Sequence, residues 1–172
     1  VGHFLKSLAI AALTALLLSA PTARAEGDDE VFNAITGEDL VALLQTQGIA
    51  ASLTQDGYGD PLIIAEAGNL AFSVITYNCN GDANAACGRL QLAAQFRLPD
   101  GASETDIAMM NAYNQQYLFG RAYIDPYGSA TVDYTINLSH GVTEDNLVDN
   151  LVIWIHVLDN FVTGLNWSSV ST

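Results

Sequence analysis

Apolar and polar residues recur along this chain in two rhythms, and the switches between them mark its elements. Leu40, Leu43 and Leu44 repeat at helical spacing just after Thr36-Gly37-Glu38-Asp39. Thr36 stands three residues before Asp39, the spacing of a capping box, and Ile35 and Leu40 flank it like a hydrophobic staple. Gly48 stops that helix. The rhythm then changes to period two. Ile49, Ala51 and Leu53 alternate with Ala50, Ser52 and Thr54, and Leu62–Glu66 follows a turn rich in Gly and Asp. Leu70, Phe72 and Val74 open a third strand that runs to about Asn78. In the cleanest strand Leu90, Leu92, Ala94, Phe96 and Leu98 face one way, with Arg89, Gln91, Gln95 and Arg97 opposite, which predicts one buried and one wet face.

Ser103 and Asp106 repeat the capping spacing and open a second helix to about Leu118, with Ile107, Met110, Asn114, Tyr117 and Leu118 on its inner side. Gly120 releases a strand at Arg121–Asp125, and Pro126-Tyr127-Gly128 turns the chain. Ala130, Val132, Tyr134, Ile136 and Leu138 then alternate with Thr131, Asp133, Thr135 and Asn137, so the pair reads as a hairpin. Thr143-Glu144-Asp145 caps a last helix with the stripe Leu147, Leu151, Trp154, Ile155, Leu158, Phe161, Val162 and Leu165. Val148, Val152, Ile153 and Val157 widen that stripe, as in a sandwiched helix or one that meets a second copy in a homodimer. The order α-β-β-β-β-α-β-β-α with short links predicts an α+β fold, an antiparallel sheet of about six strands with three helices.

The first residues change the picture of where this fold works. Lys6, the apolar run Leu8 to Ala20, Pro21 and Ala23-Arg24-Ala25 have the order of a secretory signal peptide over residues 1–25, the run being too short to span a bilayer. Residues 26–35 read as an acidic flexible leader, 36–166 as one domain and 167–172 as a tail. The chain carries a formal net charge of −14, and all 19 acidic residues lie beyond residue 25, where Arg89, Arg97 and Arg121 are the cations. Such acidity repels nucleic acid and anionic lipid surfaces. The later apolar region Leu147–Leu165 is broken by Asp149, Asn150, His156, Asp159 and Asn160, so no stable membrane insertion is expected after cleavage. The expected location is the periplasm or the medium. There, Cys79 at the end of the third strand and Cys87 before the fourth are placed to form a structural disulfide.

Candidate chemistry adds little. Of the histidines in the domain, His140 and His156 have no zinc-ligand spacing around them. Asn78, Asn80, Asp82 and Asn84 alternate as calcium ligands do, yet no Glu closes the loop. Asn137-Leu138-Ser139 and Asn166-Trp167-Ser168 match the glycosylation sequon, a short pattern that matters only in a eukaryotic secretory route. No nucleophile elbow or phosphate-cradling glycine loop occurs. No cofactor, metal site or enzymatic activity is expected.

Asn111-Ala112-Tyr113-Asn114, Phe119-Gly120-Arg121-Ala122-Tyr123-Ile124-Asp125 and Gly141-Val142-Thr143-Glu144-Asp145-Asn146-Leu147 resemble the YbjN family of bacterial proteins, with weaker support from Asp60-Pro61, Phe72-Ser73-Val74 and Leu90-Gln91-Leu92-Ala93-Ala94. Tyr113 stands where that family's pattern has Trp. The resemblance spans about Thr36 to Phe161. It implies a regulator of sensory transduction with a fold similar to the type III secretion chaperones, acidic proteins that bind extended segments of other polypeptides. It therefore implies a non-enzymatic binding module with a protein partner and brings no catalytic residue. Asn111, Asn114, Arg121, Tyr123 and Asp125 are expected either to determine the fold or to line a polar pocket. Arg121 is expected to pair with Asp125, Asp133 or another acid. The alternative reading is a binder of a small molecule or divalent ion.

Overall fold

Turns rich in glycine and asparagine fold successive strands back on one another, and this sets the architecture of the computed structural model, which describes residues 30–81, 85–98 and 100–164. The expected signal peptide, Asp82 and Asn84 of the cysteine loop, Leu165, the second sequon and the tail lie outside the described residues. The elements run β1 (Val31–Phe32), β2 (Ile35–Thr36), α1 (Gly37–Thr46), β3 (Ala50–Gln55), β4 (Pro61–Ala67), β5 (Leu70–Asn80), β6 (Ala86–Phe96), α2 (Glu104–Gln116), β7 (Arg121–Ile124), β8 (Ala130–Asn137), β9 (Val142–Thr143) and α3 (Glu144–Gly164). The main sheet has the order β3-β4-β5-β6-β8-β7, with β2 pairing to β6, and every pairing is antiparallel. The α+β class and the helix-strand order are as the sequence predicts.

One sheet face is apolar because the period-two residues point there: Ile63, Ala65, Phe72, Val74, Leu90, Leu92, Phe96, Val132 and Ile136 are buried in a single core with Leu40, Leu43 and Leu44 of α1 and Leu151, Trp154 and Phe161 of α3. Trp154 meets Phe72 edge-on at 5.6 Å, and Phe161 packs between Phe96 and Tyr113. Burying each such ring contributes about 2–3 kcal/mol. The wide apolar side of α3 is used largely within the chain. Val157 is buried, Val148 and Ile153 are half-buried, and Val152 alone of the four is exposed.

Three expectations need correcting. The stretch read as a leader to residue 35 is structured from Val31, because β1 pairs with β9 and Ile35 of β2 lies opposite Cys87. The inner side of α2 holds Met110 and Tyr113, whereas Ile107 and Leu118 are exposed. The helix ends at Gln116 and the backbone turns extended at Tyr117, which leaves Leu118 outside the helical register. The fourth strand begins at Ala86 and ends at Phe96, so Leu98 lies beyond it.

All three predicted helix starts are capped, Thr143 accepting from the Asn146 N–H at 3.3 Å. Thr36 accepts from the Asp39 N–H, and Ser103 with Asp106 forms a complete capping box. The Ser103 hydroxyl and backbone N–H hold the Asp106 carboxyl below its ordinary value of 3.8. A depressed carboxylate stabilises the fold above its unfolded value, and that contribution disappears as pH falls through the folded value. Asp106→Ala, which removes the reciprocal half of the capping box, will cost about 0.5–1 kcal/mol at neutral pH and less in strong acid, as urea titrations at the two extremes will measure.

Cys79 and Cys87 face each other across β5 and β6 and are disulfide-bonded. Closing so short a loop stabilises by about 2 kcal/mol. The double variant Cys79→Ser/Cys87→Ser is expected to melt roughly 4–8 °C lower in a calorimetric scan.

Candidate functional site

All three helices bury their apolar sides against one sheet face, so the other face presents its own side chains. On β8 the alternation turns Thr131, Asp133 and Thr135 to that face, on β6 Gln91 and Gln95, on β7 Arg121 and Tyr123 with Asp125 just past its end, and on β5 Tyr77. Register places Arg121 opposite Asp133, with small Ala93 on the other side of it. The Arg121 guanidinium donates from Nε to Asp133 Oδ1 at 3.1 Å and from Nη2 to Oδ2 at 2.5 Å. Gln91 Nε2 donates to the same Oδ2 at 2.7 Å, and the Tyr77 hydroxyl donates to Gln91 Oε1 at 2.7 Å. A polar strip thus crosses four strands. At its centre the Asp133 side chain is 4% exposed, beneath an Arg121 side chain that is 66% exposed.

The electrostatics follow from this packing. The bonds to Asp133 raise the Arg121 pKa above its ordinary value, the fork geometry favouring the charged form. Arg121 also stands 5.0 Å from the Tyr123 ring centroid. Burial, reinforced by the Asp133 charge, raises the Tyr123 pKa. Asp125 is occupied by its own turn. Its Oδ1 accepts from the N–H groups of Tyr127 and Ser129, and Oδ2 accepts from Gln95 at 3.2 Å.

Asn114 does different work at the sheet edge. From α2 its amide donates to the Ala122 carbonyl at 2.9 Å and accepts from the Ala122 N–H at 2.8 Å. It therefore replaces a neighbouring strand along β7. Asn111 is exposed on α2. The structure brings together Arg121, Tyr123 and Asp125 but leaves Asn111 and Asn114 on another surface. Asp133 is the hub of the strip; an acid amid the alternation of β8 was the signal for it. Gln91 and Tyr77 gave none, because their roles depend on which strands lie side by side.

The strip's donors and acceptors satisfy one another, which makes it a fastener across the sheet. Among the described residues no group of three or more His, Cys, Asp or Glu could hold a metal ion. His156 is exposed beside a notch of about 240 Å³ lined by Tyr117, Leu118, Phe119 and Ile153.

The other half of the face differs. From β3 to β5 it carries Ala50, Ser52, Thr54, Ile64, Glu66, Ala71 and Ile75. Ile64 is 48% exposed. A hollow of about 290 Å³ lies there, lined by Ala50, Ser52, Ile64, Glu66 and Ala71 with the adjoining backbone. Residues 30–81 contain no Lys, Arg or His, but do contain Glu30, Glu38, Asp39, Asp56, Asp60 and Glu66.

Residues 36–167 match the YbjN family, described as "Putative bacterial sensory transduction regulator". A comparison with curated proteins finds none that matches. No helix among the described residues is long and apolar enough to cross a membrane.

Proposed function

The chain belongs to the YbjN family, which is of regulator type and not known for enzymes, and we propose that it acts outside the cytoplasm by binding another polypeptide. One observation carries this reading: among the described residues nothing covers the sheet face from β3 to β5, where half-exposed Ile64 stands beside a shallow hollow, while α1, α2 and α3 pack on the opposite face. A flat surface of small and apolar side chains suits an extended chain better than a small molecule, which needs an enclosing cavity. The resemblance to secretion chaperones points the same way. The Cys79–Cys87 disulfide supports an oxidising compartment.

Affinity capture with cross-linking from extract of the exported compartment tests the proposal. The same polypeptide should be enriched repeatedly, and Ile64→Asp should abolish its recovery. Equal recovery on the Ile64→Asp protein, or no enriched polypeptide, would reject the bare face as the binding surface.

A further inference from the structure

We propose that β3 is an acceptor edge, to which an extended, cation-bearing segment of the partner adds as a further strand of the sheet. This rests on the polypeptide-binding reading and specifies its geometry and chemistry. The sheet has two long edges, and the chain treats them differently. At β7 the Asn114 amide occupies both backbone groups of Ala122, and α2 packs alongside. At β3 α1 packs alongside in the same way, but among the described residues one exposed bond reaches the edge backbone, from Gln45 Nε2 to the Ala51 carbonyl at 3.2 Å. An antiparallel residue sends its N–H and C=O to the same side. Ala51 therefore points both groups away from β4, as do Leu53 and Gln55 by the same alternation.

Natural edges are blunted by Lys, Pro, bulges or a covering element. Ala50–Gln55 reads AASLTQ, with none of these residues, and its register with β4 is unbroken over all six. The outward-facing Ala50 and Ser52 are small, so a side chain from an added strand could lie over Ile64 and the hollow.

Charge selects the occupant. This half of the protein is acidic without a single cation, and Glu66, Asp56 and Asp60 lie on the two strands at this edge or in the turn joining them. A second copy of the chain would bring two such surfaces together, at a repulsive cost. A segment with Lys or Arg flanking a period-two apolar stretch is complementary to it.

The test is a selection of random dodecapeptides against the immobilised protein, followed by anisotropy titration of the enriched peptides. Expected are peptides of net positive charge with alternating apolar residues. N-methylation of alternate backbone nitrogens should weaken them about tenfold or more, and rising salt should weaken them further. Ala51→Pro removes an outward N–H without touching the β3–β4 ladder, and Ser52→Lys puts a cation on the edge. Each should reduce affinity about tenfold with the circular dichroism spectrum unchanged. Should Ala51→Pro disturb folding, Ser52→Lys and the N-methylated peptides still decide. Peptides that bind regardless of N-methylation and of both substitutions overturn the edge but leave polypeptide binding standing. An acidic consensus overturns the choice of partner. A dimer dissolved by Ser52→Lys, with no peptide enriched, makes a second copy the occupant and overturns the proposal. A monomer that enriches no peptide overturns it together with the reading it rests on.

Discussion

Arg121→Ala will destabilise the protein by about 3 kcal/mol, and Asp133→Ala by only about 1–2 kcal/mol, although the two residues form one ion pair. Exposure sets the asymmetry. Losing Asp133 frees a guanidinium whose side chain is already 66% exposed and can hydrate. Losing Arg121 leaves a carboxylate, its side chain 4% exposed, that keeps a hydrogen bond from the Gln91 amide but has lost its cation. The figure lies at the low end for broken buried pairs because water can enter where Arg121 stood. The double variant Arg121→Ala/Asp133→Ala should then be more stable than Arg121→Ala alone. Lys at position 121 should rescue only in part, since an ammonium cannot make the two parallel bonds. Urea titrations of the four proteins measure this, and equal costs for the two single variants would remove Asp133 from the centre of the strip.

Gly120→Ala should cost about 3 kcal/mol, from two sources at one atom. Gly120 has φ +81, where an added Cβ costs about 1–2 kcal/mol. That Cβ would also lie 2.6 Å from Val157 Cγ1, inside a core that the Tyr113 hydroxyl closes by donating to the Val157 carbonyl. Overpacking adds about 1–3 kcal/mol. The sources separate in a cycle: with Val157→Ala the clash goes and the backbone strain stays. The double variant should be about 1 kcal/mol more stable than the sum of its parts. Additive costs would mean that backbone conformation alone requires glycine here. The melting temperature of Gly120→Ala should fall by roughly 6–12 °C.

Features written within one element were legible in the sequence. The caps at Thr36 and Ser103, the alternations of β6 and β8 and the hairpin placement of Cys79 and Cys87 follow from spacings of a few residues, where local sterics and hydrogen bonding decide. That Arg121 pairs with an acid follows from its being a scarce cation among many carboxylates, and of Asp125, Asp133 or another acid the hairpin register puts Asp133 opposite it. What escaped depends on neighbours distant in the chain. Gln91 and Tyr77 join the strip only because β6 lies between β5 and β8, and nothing in either strand specifies that order. The strands Val31–Phe32 and Ile35–Thr36 exist through partners at residues 142–143 and 86–87, and at two residues each they are too short to show an alternation. Tyr113 stands at helical spacing from Met110 and Tyr117, but the Val157 carbonyl that its hydroxyl reaches belongs to a helix distant in the chain.

The side-chain amide along β7 has a further consequence, concerning how many neighbours one molecule can take. With Ala122 occupied on that flank, the β3 edge proposed above leaves each molecule room for one added strand. Asn114→Ala would free both backbone groups of Ala122 and offer a second place for an incoming strand. One asparagine thereby sets how many strands the sheet can take.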